Sequence, residues 1–80
     1  MSDEKLRAAI EEVRSELANS KGLDEESRRS LKQLADDLEA RRAESVRGEL
    51  SDWARKLEAS HPSLATTLEN LIDTLALFNL

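Results

Sequence analysis

The sequence predicts an all-α protein, a small bundle of three to four short helices forming one domain over residues 1–80, and three observations predict it. Apolar residues recur at intervals of four, three and four along several segments, the spacing that lines one face of a helix. Two Gly and one Pro in 80 residues are too few for the frequent turns of a β-rich chain. Hydrophobic residues make up 39% and charged residues 36%, the mixture of helices with one buried stripe and a solvated remainder.

The first helix is expected over about residues 3–18, where Leu6, Ile10, Val13 and Leu17 form the stripe. It ends in NSKGLD, in which Asn19 or Gly22 can take the left-handed conformation that closes a helix. Asp24 is then a good N-cap, its carboxylate accepting from the orphan amides of the next turn. Glu25 and Glu26 follow where the helix dipole favours negative charge.

The second helix, about 24–42, carries Leu31, Leu34 and Leu38, with Ala35 alongside. Its junction with the third, about 46–59, has no Pro, and Gly48 falls inside the next stripe of Val46, Leu50, Trp53 and Leu57. Ser45 can cap a new helix, so a break near 42–45 is expected. One continuous helix with a drifting stripe is the alternative.

The fourth helix, about 62–78, opens at SHPS. Pro62 suits a first helical turn, where its missing N–H leaves nothing unsatisfied. It also biases His61 away from helical geometry, which puts Ser60 or His61 at the cap.

The last helix holds Leu64, Leu68, Leu71, Ile72, Leu75 and Phe78, a wider apolar surface than one stripe requires. A chain this small rarely gains more than about 3–5 kcal/mol from one core without disulfides, metal or association. With no Cys in the chain, disulfides and thiolate chemistry are excluded, and association is the remaining route. These six residues are therefore expected to serve both the core and a contact with a second copy, which makes the chain self-associating. An intramolecular core alone is the simpler reading. Glu69, Asn70, Asp73 and Asn79 interrupt the run too often for a membrane span, and it lacks the Lys and Arg of a membrane-surface helix.

Candidate chemistry is sparse. One His cannot hold a metal alone, and His61 beside Pro62 reads as a cap or a packed side chain. The pairs Glu11–Glu12 and Asp36–Asp37 point about 100° apart on a helix and do not converge on one ion. No phosphate loop, metalloprotease motif or nucleophile elbow is present, so neither an enzyme nor a cofactor is expected.

The net charge is −5, which opposes binding by counterion release. The exception is segment 41–56, with five basic and three acidic residues. Arg41, Arg42 and Arg47 are its candidate phosphate contacts, joined by Arg55 and Lys56, with Trp53 able to stack on a base. Trp53 also lies in the apolar stripe, where core packing is the stronger claim. The leading expectation is a non-catalytic protein-interaction module that self-associates through its last helix and acts as a small adaptor or regulator. A nucleic-acid-associated regulator is the alternative. The N-terminus lacks an apolar h-region, and the cytoplasm is the expected compartment.

The junction Ser60-His61-Pro62-Ser63-Leu64, followed by a Leu-rich helix with Ile72, Asp73, Leu75 and Ala76, resembles the C-terminal signature of a bacterial family known as domain of unknown function 4404. Upstream, ELANSKGLDEESRRSLKQLADDLE is similar to the family's first helix end, Leu-Asp cap and second helix. The chain departs from that pattern at Asn79, where it implies Gly. The resemblance implies a helical fold and a bacterial cytoplasmic setting, and no activity.

Overall fold

The computed structural model describes residues 2–40 and 45–77, with side chains from Glu4 onward. Four helices follow one another, α1 (Ser2–Asn19), α2 (Glu25–Glu39), α3 (Val46–Leu57) and α4 (Pro62–Leu77). No strand occurs among the described residues. The helices form a ring of neighbours in which α4 packs against α1 and α3, while α2 packs against α1 and, more sparsely, α3.

Each helix buries the stripe its spacing prescribes. Leu6, Ile10, Val13 and Leu17 of α1 meet Leu31, Leu34, Ala35 and Leu38 of α2 in one continuous core. Val46, Leu50, Ala54 and Leu57 of α3 complete it with Leu64, Ala65, Leu68, Leu71 and Leu75 of α4. Leu23 plugs the core from the α1–α2 loop.

Trp53 packs against the core, as its place in the stripe predicts, but from the edge and half-buried, while Ala54 takes the fully buried position of that turn. A small residue lets α3 approach α4 closely, and the indole is left on the flank, where the Lys56 ammonium sits 4.9 Å from its ring centroid, within cation–π range. The wide apolar surface of α4 is largely taken up within the chain: α4 makes the two most extensive packings of the ring, against α1 and α3, and Leu64, Leu68, Leu71 and Leu75 are 0–1% exposed.

The helix ends follow local chemistry. Gly22, at φ +82°, rather than Asn19, supplies the left-handed residue of the first loop. Asp24 precedes α2 in extended geometry, and the Ser27 hydroxyl it faces holds its carboxyl below its ordinary value, although no full side-chain cap hydrogen bond forms. α2 ends at Glu39, three residues before the expected end, with the Ala40 amide donating to the Asp36 carbonyl. The expected break at 42–45 lies largely outside the described residues. Even so, α2 and α3 lie side by side, which one continuous helix cannot do.

α3 ends at Leu57, two residues before the expected end, because Pro62 keeps His61 out of helical geometry. The His61 amide instead folds back to the Leu57 carbonyl at 2.7 Å. α4 then begins, with the His61 carbonyl accepting from the Ala65 amide. Phe78 lies outside the described residues.

Candidate functional site

The Ser60-His61-Pro62 junction does more than start a helix. His61 Nε2 lies 3.2 Å from the carbonyl oxygen of Lys21, forty residues earlier in the chain. A carbonyl can only accept, so Nε2 carries the proton, and in the neutral ring Nδ1 accepts from the Ser60 hydroxyl at 3.1 Å. Arg28 of α2 donates to the preceding carbonyl, Ser20, at 3.0 Å. Two successive loop carbonyls are thus held by donors from α2 and from the α3–α4 corner. Sequence spacing carries no trace of the His61 contact, because it joins two loops.

The six residues assigned to an α4 interface divide. Leu64, Leu68, Leu71 and Leu75 are core residues, unavailable to a second copy unless the bundle opens. Ile72 is half-buried against that core, and Phe78 lies outside the described residues. Outward on α4 lie Glu69, Asp73, Ala76 and Leu77, with half-buried Ile72 at their edge and exposed Thr66 and Asn70 beside them. Leu77, 70% exposed, is the exposed large apolar side chain among the described residues.

Residues 6–78 match the family described as a domain of unknown function, DUF4404. The chain belongs to that family. No curated protein and no solved structure matches it. The match runs from within α1 through the rest of all four helices, including the signature corner at Ser60-His61-Pro62.

Of the candidate phosphate contacts, Arg41 and Arg42 lie outside the described residues. Arg47 is exposed in the first turn of α3, whereas Arg55 and Lys56 are exposed in its last turn, where cations complement the helix dipole. The three are therefore spread along the helix rather than gathered in one patch. Among the described residues no group of three His, Asp or Glu side chains is placed to hold a metal ion, and no helix is long and apolar enough to cross a membrane.

The most connected charged group is one the sequence reading passed over. Arg14 of α1, its side chain 26% exposed, reaches Asp36 at 2.7 Å and Glu39 at 2.8 Å on α2, and Glu11 at 3.3 Å on its own helix. The usable signal is the Asp36–Glu39 spacing, which sets two carboxylates on one face of α2.

Hydrogen bonding to Arg14, followed by its charge, holds the Glu39 carboxyl below its ordinary value. The carboxylates are more than half exposed, so solvent screening keeps the contribution small. Its sign is definite. A carboxyl whose folded pKa is depressed adds stability above its unfolded pKa, and that stability is lost as pH falls through the folded value. Urea midpoints of the wild-type chain and Arg14→Gln should therefore differ at pH 7 and converge as pH falls through roughly 4 and below. A gap that persists in acid would show that Arg14 acts through packing.

Proposed function

We propose that this DUF4404 domain is a non-catalytic helical interaction module of the bacterial cytoplasm, a small adaptor or regulator that self-associates through α4. The supporting observation is the outward face of α4, where Leu77 stands 70% exposed beside the exposed Ala76 and the half-buried Ile72. This face replaces the leucine stripe as the contact surface, since the leucines serve the core. Self-association leaves the bundle intact, because Ala76 and Leu77 are exposed and Ile72 lies only at the edge of the core.

Static light scattering over a roughly hundredfold concentration range tests the reading by mass action. The mass should rise above the 9.0 kDa of one chain, and Leu77→Asp should hold it at that value with helicity unchanged. A wild-type chain that stays at 9.0 kDa throughout would remove the proposal.

A further inference from the structure

The seam between α1 and α2 carries a feature of opposite character to α4. Leu17 and Ala18 of α1 floor a groove of about 180 Å³ whose walls are Arg14, Arg28 and Lys32. In a chain of net charge −5, three cations gathered around one apolar floor stand out. The three differ in how far their charge is already compensated. Arg14 is paired with carboxylates, Arg28 is bound to a carbonyl only, and exposed Lys32 makes no ion pair among the described residues.

We propose that this groove receives the outward face of α4 from a second copy, with Glu69 and Asp73 meeting Arg28 and Lys32 and Leu77 entering over Leu17 and Ala18. The inference rests on the self-association reading and names the surface that α4 docks against. Three observations support it. The α4 segment is itself purely acidic, since residues 57–80 contain Glu58, Glu69 and Asp73 and no Lys or Arg, and the cation beside this face is Arg55 of α3, which shares a pocket with Glu69. The spacings match, because Arg28–Lys32 and Glu69–Asp73 are both i,i+4 pairs, about 5–6 Å apart on their helices. The apolar parts match as well, because Leu77 continues the Glu69–Asp73 row by one further i+4 step and the groove floor is apolar.

Donor and acceptor are different surfaces of one molecule, on helices that are not neighbours in the ring. Made in one direction, the contact is heterologous and generates a ring or an open series; made in both directions at once, it closes a twofold pair. Copies of like net charge repel at a distance. At physiological ionic strength that repulsion is screened beyond about 8 Å, while the close pairs persist.

The experiment is sedimentation equilibrium of the full chain beside Lys32→Glu, Asp73→Lys and an equimolar mixture of the two variants. All substituted positions are exposed, and circular dichroism verifies that each variant folds. Each variant alone should associate at least about tenfold more weakly than wild type, because like charges then face each other. The mixture should recover association, since each variant retains one intact surface. If the wild type associates, Leu77→Asp abolishes it and neither charge reversal matters, the groove is overturned and α4 association stands. If the wild type is monomeric at every concentration, both readings fall.

Discussion

Leu71→Ala is expected to unfold this chain or nearly so, while Ile72→Ala, one residue away, leaves it folded. Leu71 is 0% exposed at the centre of the helix that packs against two others. Truncating a buried Leu to Ala costs about 2–5 kcal/mol, the lost transfer energy plus the cavity left behind. A domain of this size holds only about 3–5 kcal/mol from its core, so one cavity removes most of it. In a chain this short each kcal/mol moves the midpoint by about 4–8 °C, which sets a loss of at least roughly ten degrees. Ile72 is half-buried, and its truncation removes fewer contacts.

Thermal denaturation followed by far-ultraviolet circular dichroism separates the two roles proposed for the α4 leucines. Had Leu71 served an intermolecular contact, Leu71→Ala would dissociate the protein and leave a helical monomer with a midpoint near that of wild type. Such a result would reverse the core assignment.

The four helices were legible because each carries its stripe at a spacing that only a helix brings to one face. Leu6, Ile10, Val13 and Leu17 are all buried, as are Leu64, Leu68, Leu71 and Leu75. What the spacing could not decide was how many neighbours each stripe would meet. A helix between two others and a helix between one neighbour and a foreign chain carry the same wide apolar surface. The excess on α4 was therefore read as serving the core and a second copy together, and only the arrangement of α1 and α3 around it shows that Leu64, Leu68, Leu71 and Leu75 are covered by their own chain. Trp53 packs against the core as its place in the stripe implies, but only at the edge. Ala54 satisfies the periodicity equally well, and which of the two is fully buried depends on the helix spacing that α4 permits.

The signature corner was legible as punctuation and illegible as a tie. Pro62 dictates from local sterics alone that α3 stops and α4 starts. The reach of His61 to the Lys21 carbonyl depends on the α1–α2 loop arriving at the same end of the bundle, which no local rule encodes. Arg14 lies between these cases. Its partners Asp36 and Glu39 share a face of α2 by their spacing, but pairing them with Arg14 requires knowing that α1 and α2 are neighbours.

The two glycines should respond with opposite signs. Gly22 stands at φ +82°, and a Cβ there would meet only His61 Nε2, at 4.0 Å. That is ordinary contact, so the penalty is one of backbone conformation. A left-handed residue with a side chain costs about 1–2 kcal/mol, and β-branching makes the position a genuine outlier. Gly22→Val should therefore lower the midpoint by roughly 5–15 °C. Asn tolerates this conformation, so Gly22→Asn should lose much less. Gly48, inside α3, has nothing within 4 Å of its added Cβ, and Gly48→Ala should stabilise by about 0.5–1 kcal/mol by limiting the unfolded chain. Melting curves of the three variants decide the matter. A loss for Gly22→Asn as large as for Gly22→Val would shift the cause from backbone geometry to the space beside His61, and with it the importance of the Lys21 tie.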